Sequence, residues 1–331
     1  MDSDEYKSEY KCTLSKETRE IARNELREDD AMREQALEQF RHWISKHPNI
    51  KHCRTDAVFL LRFLRTKKFS LPLAQEMLER YLTIRQLYPD WFQNLDVNDP
   101  DIEAIIDAGY LVPLLGRDQN GRQVILSCAG NFICNYKMSF FFSQLYVLIL
   151  VINFSRITCS ENQVRGYTHI NDESGLSMGH LSAWSLTDIR NMLRCIQNST
   201  PMRHKETHFL NIPACASKVI EFAISLLNDK LKARISVNLT EGIRRRNPFV
   251  RDDWCVPGFV LLLSSYYNFF CYVNKYVFHV LADFKRTLKE KRNELKALDN
   301  MNIQIQAKDS YASSTENQDG IPGSFRKLEV D

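Results

Sequence analysis

The residues best suited to chemistry in this sequence gather between Asp172 and Lys205. Gly175-Leu176-Ser177-Met178-Gly179 matches G-x-S-x-G, a pattern that seats a nucleophilic serine on a tight turn between a strand and a helix. Such a serine needs a base and oxyanion donors around it. Here Asn171-Asp172-Glu173-Ser174 separates the preceding strand from the motif, and His180 follows too closely for an ordinary triad. No HGGG-like donor loop is evident, so a glycine-permitted turn is the preferred reading and no catalytic residue is assigned. Asp172 and Glu173 resemble paired carboxylates, but neighbours on an extended strand point to opposite faces, which favours a structural role at a strand end. Arg203-His204-Lys205 carries the strongest signal. On an extended segment Arg203 and Lys205 project to one side and can grip a phosphate from two directions. A solvated charge run is the alternative and stays open. His204 is read as an exposed or structural histidine. The nine cysteines lack CxxC or Cys/His metal spacing, and the glycines form no Walker or dinucleotide loop. Neither metal nor cofactor is expected.

Positioning these residues falls to a strand–helix–strand unit from Tyr167 to Pro213. Tyr167 to Ile170 reads as a strand. Ser185 with Asp188 forms a capping box, followed by Leu186, Ile189, Met192, Leu193 and Ile196 at helical spacing. Asn198-Ser199-Thr200-Pro201 stops the helix, because the residue before proline is driven out of the helical region. His208 to Ile212 returns as a strand, and the spacing suggests a right-handed crossover in a parallel or mixed sheet.

Upstream, helices are expected over Ser15 to about Glu28, from a cap at Asp30 to a stop at His47-Pro48, from Thr55 or Asp56 to about Lys68, and from Ser70 to Tyr88. Met32, Ala36, Leu37, Phe40 and Ile44 should face inward on the second, and Leu73, Met77, Tyr81 and Ile84 on the last. Arg62, Arg65, Lys67 and Lys68 cluster near a helix end, as a solvated cap or an anionic-lipid contact. Pro100 to Ala108 is a short helix ended by Gly109. Leu111 to Leu115 and Gln123 to Cys128 are strands joined across an Asn120-Gly121 turn. Ala214 to Leu231 reads as one helix and Arg234 to Val237 as a strand. Ser139 to Phe154 and Cys255 to Asn274 are uncharged apolar blocks, the second long enough to suggest a membrane segment. Leu281, Phe284, Leu288, Leu295 and Leu298 lie in register on a basic amphipathic helix.

The chain has 331 residues, room for a helical module plus one α/β domain. A net charge of +3 announces no nucleic acid, so a basic partner surface would have to be local. The acidic, polar N-terminal segment carries no signal pattern, which leads us to expect reduced thiols in a cytoplasmic protein.

NSTPMRHKETHFLNIP (Asn198 to Pro213), FLLRFLRTKKFS (Phe59 to Ser70) and AGYLVPLLGRDQNGRQVILSCAG (Ala108 to Gly130) resemble, in order, segments of the CRAL-TRIO lipid-exchange family. The likeness is to its tocopherol-transfer and retinaldehyde-binding branch, over most of 27–137, 162–237 and 281–302. The resemblance implies an α/β fold: a small N-terminal helical module, then a lipid-exchange domain with a mixed sheet and a lid helix within 214–231. The expected divisions are a disordered 1–14, a helical module 15–95, the lipid domain 96–237, a hydrophobic insert 238–280, a C-terminal helix 281–302 and a disordered tail 303–331. It further implies a non-enzymatic protein, monomeric and peripherally membrane-associated, that moves a tocopherol-, retinoid- or phospholipid-like molecule. Positions matching Lys67, Arg203, Lys205 and Lys230 would form a basic cleft for phosphatidylinositol bisphosphate. Met192, Cys195, Ile196, Thr207, Phe209 and Phe222 would line the lipid pocket. The chain departs from the family at both apolar blocks and lacks its Gly-Gly turn. The alternatives are therefore a membrane-anchored member, a splice or gene-model variant without a working pocket, and an esterase using Ser177.

Overall fold

In the computed structural model, residues 10–94, 96–131, 160–182, 185–237 and 280–305 are described. The blocks Ser139–Phe154 and Cys255–Asn274, and most of the two termini, lie outside the described residues.

Caps set the helical module. Ser15 accepts the Thr18 N–H and starts the helix Lys16–Ile21, which passes into a wider π turn at Ala22–Leu26 and stops at Arg27, in the left-handed region. Asp29, one residue before the expected cap, accepts the Met32 N–H at 2.7 Å and starts the helix Asp30–Lys46. Met32 is exposed, and Arg33 is buried with Ala36, Leu37, Phe40 and Ile44. Asp56 caps the helix Ala57–Thr66, and Leu71–Leu87 follows with Ala74, Met77, Leu78, Tyr81 and Leu82 inward. Leu73, expected inside, is 48% exposed, because it falls outside the stripe set by those residues.

Arg62 and Arg65 correct the reading of a solvated or lipid-facing cap. Both are buried. The Arg62 guanidinium lies over the Phe59 ring, 4.6 Å from its centroid, and burial pushes its pKa down to about 9. Arg65 forms a fork with Glu28, 2.8 Å from Nε and 2.7 Å from Nη2, and its Nη1 donates to Gln163 at 2.8 Å.

The main sheet has the order β2-β3-β4-β5-β6, built from Leu111–Arg117, Gln123–Cys128, Tyr167–Asp172, His204–Leu210 and Ile235–Val237. β2 and β3 are antiparallel, and β3 through β6 run parallel. The Asp118 carboxylate accepts the Asn120 and Arg122 N–H groups, and Gly121 takes a positive φ of 70° at the turn. The helix Leu186–Arg194 starts at the Ser185–Asp188 capping box and crosses from β4 to β5. A π turn, Cys195–Ser199, extends it. β5 begins at His204, four residues before the sequence reading placed it. The expected single helix over 214–231 is two: Ala214–Ser225, then Asp229–Lys232 restarted by Asn228, whose side chain accepts the Leu231 N–H.

Helical residues 280–290, Arg292–Ala297 and the 3-10 turn Leu298–Asn300 carry Phe284, Leu288, Leu295 and Leu298 into the same core as the N-terminal helices, with Ile125 and Tyr167 from the sheet. A short strand, β7 (Asn302–Ile303), pairs antiparallel with β1 (Ile50–His52). Residues 303–305 thus belong to the fold and not to the tail. Likewise Tyr10 and Leu14 are packed, not frayed: Tyr10 Oη lies 2.9 Å from Ser160 Oγ and Leu14 is buried.

Candidate functional site: an apolar cavity beside a basic cluster

Alternation along the parallel strands sends His169 and Asn171 of β4, and Thr207 and Phe209 of β5, to one face of the sheet. They floor a cavity of about 300 Å³. Ile189, Met192, Leu193 and Ile196 form one wall, at spacing set by the helix Leu186–Arg194 and the start of its π turn. Val219, Ile220, Ala223 and Ile224 of the helix Ala214–Ser225, with Leu227 beyond it, form the opposite wall. At one edge Gly130 and Gly175 touch. A Cβ on Gly130 would meet the Ser174 carbonyl oxygen at 2.6 Å, so this close approach needs glycine.

Of the residues expected in the pocket, Met192, Ile196, Thr207 and Phe209 line this cavity. Cys195 and Phe222 do not. Cys195 opens the π turn, is buried near Tyr88 of the helical module, and has its thiol pushed up to about 12 by burial. Phe222 lies outside the stripe that Val219, Ala223 and Leu227 present.

The sequence reading missed the polar part of the lining. A bulge in β5, where Tyr167 faces His204 and Thr168 faces Glu206, brings His204 to the cavity beside His169. His204 Nδ1 lies 3.0 Å from His169 Nε2. Glu173 also reaches the lining. Burial, reinforced by the Asp172 carboxylate, raises its pKa to about 7. Asp172 turns elsewhere, accepting from Asn211 Nδ2 and the Ser174 N–H at 3.0 Å each.

Ser177 precedes the short helix Met178–Ser182 and is exposed. Its backbone N–H donates to His180 Nδ1 at 3.0 Å, so the 2.7 Å contact from Oγ to the same nitrogen has the hydroxyl donating. The two residues meet as neighbours three positions apart at a helix start, the close spacing that sets them apart from an ordinary triad.

Two of the expected cations, Arg203 and Lys205, meet at one carboxylate. Arg203 Nη2 and Lys205 Nζ donate to the same oxygen, Glu25 Oε2, at 2.7 and 3.0 Å. Gly166, at φ 89°, permits this: a Cβ there would meet the Arg203 carbonyl oxygen at 2.6 Å and Lys205 Cγ at 2.8 Å. Burial works to raise the Glu25 pKa, but the hydrogen bonds and charges of Arg203 and Lys205 outweigh it and hold the carboxyl below its ordinary value. Burial holds Lys67 and Lys230 below the lysine range. Arg80 lowers Lys67 further, Glu76 opposes it and Lys230 adds a smaller push, and Arg234, Lys68 and Arg203 act on Lys230 in turn. Lys67, Lys230 and Arg203 thus act on one another in sequence, while Glu25 takes up charge from Arg203 and Lys205.

Among the described residues no group of histidine, cysteine, aspartate or glutamate could hold a metal ion, and no helix is long and apolar enough to cross a membrane.

A mixed sheet under an apolar, helix-walled cavity defines a hydrophobic-ligand-binding α/β domain. Comparison with known families agrees: the CRAL/TRIO domain matches residues 107–245, and the Pinta-like UBA domain matches 29–102. Clavesin-1 of Xenopus laevis is 33% identical over 245 residues, 74% of this chain and 72% of that protein. Clavesin-1 of Pongo abelii is 33% identical over 222 residues, covering 67% of this chain and 62% of its own length. Clavesin-2 of Homo sapiens is 30% identical over 222 residues, 67% of each chain. A solved structure titled "Crystal structure of Sfh5" aligns with TM-score 0.34 and 11% identity, over 70% of this chain and 83% of that one. This chain belongs to the CRAL/TRIO family of lipid-binding and lipid-transfer proteins.

Proposed function

We propose that the protein, acting without catalysis and as a monomer, carries a tocopherol-, retinoid- or phospholipid-like molecule between membranes from the cytoplasmic side. Lys67, Arg203, Lys205 and Lys230 dock it on phosphatidylinositol bisphosphate. Met192, Ile196, Thr207 and Phe209 contact the cargo. Burying each methylene of such a cargo contributes ~0.8 kcal/mol, so a closed apolar cavity makes an insoluble molecule portable.

The observation that carries the docking reading is the double donation of Arg203 and Lys205 to one carboxylate oxygen of Glu25. Two cations arranged around a single anionic oxygen can hold a phosphate oxygen in the same way. Each cation near an anionic surface contributes about 1 kcal/mol. Lys67→Ala, Arg203→Ala and Lys205→Ala together should therefore weaken flotation with bisphosphate-bearing vesicles on the order of a hundredfold. Glu25→Gln, which removes the competing charge, should tighten binding. Unchanged binding by the triple variant would remove the docking role.

A further inference from the structure

Glu25 divides the basic residues into two sets. Arg203 and Lys205 both donate to its Oε2, at 2.7 and 3.0 Å. Lys67, Lys68 and Lys230 form no ion pair and no side-chain hydrogen bond among the described residues, and Lys68 and Lys230 are exposed. The backbone takes the left-handed region twice running at Lys68 and Phe69, with φ of 51° and 60°. Non-glycine residues adopt it at a cost, and such strain collects where a loop must present its side chains in one way. Besides burial, the charges of Arg234, Lys68 and Arg203 all lower the Lys230 pKa, so the two sets adjoin. Glu25 itself is held from both sides. Its π turn, Ala22–Leu26, ends at Arg27 with φ of 64°. Ahead of the turn, the Glu161 carboxylate takes the Ser15 N–H at 2.6 Å and the Thr18 hydroxyl. Behind it, Leu26 is buried and Glu28 holds Arg65. The backbone is therefore fixed, while the Glu25 side chain is 46% exposed and can swing out. Arg203 stays in place when it does, because its other arm donates to the Val164 carbonyl oxygen.

We propose that Glu25 is a latch that splits headgroup docking into two stages: Lys67, Lys68 and Lys230 form an open subsite that takes a first phosphate, and a second phosphate then displaces Glu25 from Arg203 and Lys205. A lone phosphomonoester finds the open subsite free and gains little by evicting a carboxylate. In a bisphosphate headgroup the second phosphate is tethered by the first, so it meets Glu25 at an effective concentration on the order of millimolar. It also carries about −1.5 to −2 charge at pH 7, against the single charge of Glu25, and offers three acceptor oxygens to the two cations. Glu25 therefore weighs on the second stage alone and tunes how strongly two phosphates are preferred to one. Lys68 joins the headgroup site as a member of the open subsite.

This inference rests on the reading of the basic residues as a phosphoinositide-headgroup site, and the test separates the two. The full chain would be floated with phosphatidylcholine vesicles carrying phosphatidylinositol monophosphate or bisphosphate, at matched surface charge. Glu25→Gln should tighten binding to the bisphosphate vesicles by about two- to thirtyfold, the worth of two half-exposed ion pairs, and to the monophosphate vesicles by no more than about twofold. Glu20→Gln removes the same charge from an exposed site on the preceding helix and should leave that preference unchanged. Lys68→Gln should weaken binding to both kinds of vesicle by about fivefold. Equal tightening on both by Glu25→Gln would show a general charge effect and overturn the latch. No tightening on either, with the unaltered chain still bound, would overturn it too and leave the docking site standing. Binding of no chain to either vesicle beyond phosphatidylcholine alone would overturn the docking reading itself. Lys68→Gln decides even if Glu25→Gln fails to fold: a loss confined to the bisphosphate vesicles would overturn the open subsite.

Discussion

Arg65 keeps its guanidinium inside the protein because Glu28 meets it with both carboxylate oxygens and Gln163 takes another of its hydrogens. Removing one member of such a pair strands the other charge in a medium that solvates it poorly. Arg65→Met should therefore destabilise the fold by about 3–5 kcal/mol, measured as a shift in the denaturant midpoint, with Glu28→Met added to it restoring part of the loss. A loss below about 1 kcal/mol would mean that water reaches the site. Arg203 has the opposite use: its partner Glu25 is nearly half exposed and can be exchanged. Nothing in residue type separates the two arginines. The buried one sits on the apolar side of a helix whose length and cap are plain in the sequence, whereas its partner Glu28 comes from a turn that local patterning does not place.

Glu173 adds a pH dependence whose sign is fixed. Its folded pKa, about 7, lies above the ordinary value of 4.5, so between those values the folded state holds a proton that the unfolded state has lost. The contribution is fully present below about pH 4.5 and disappears as pH rises through about 7. Glu173→Gln should accordingly raise Tm at pH 8 and leave it unchanged near pH 4.5. A Tm gain of equal size at both pH values would show that Glu173 does not titrate this way.

At the scale of elements, the helix Ala214–Ser225 is the wall most able to move. Of its residues only Ala216 is fully buried, and its apolar stripe faces the cavity. Few buried contacts make local opening cheap. Amide exchange over 214–232 should be faster than over β4 and β5, and should slow when hexadecanol is bound. Exchange as slow as that of β4 would rule out a lid. The helix was legible as an amphipathic run, but its break at Leu226–Asn228 was not, because Asn228 also fits a helical phase. Ser185 and Asp188 announced their helix without ambiguity, since a capping box is a local pattern. The bulge that turns His204 toward His169 had no such mark. It depends on the register between strands separated by a whole crossover helix, and regular alternation would have sent Lys205 inward in its place.

In the whole molecule, the helical module and the sheet are parts of one body. Phe40, Phe63 and Tyr81 share a core with Ile125 and Tyr167, and the strand pair Ile50–Ile303 closes the C-terminal segment onto the module. The basic cluster draws on both: Glu25 and Lys67 come from the module, Arg203, Lys205 and Lys230 from the α/β domain. Docking on a membrane would therefore pull at the junction between them, close to the cavity. Family and layering could be read from motifs that act locally; the cavity lining depended on which face of β5 each residue took.

The most direct test of the account is mass spectrometry of whatever lipid leaves the full chain after purification from a eukaryotic host without detergent. The account predicts one hydrophobic species, near one per chain. Soluble, folded protein that releases no lipid would contradict the claim that this cavity carries cargo.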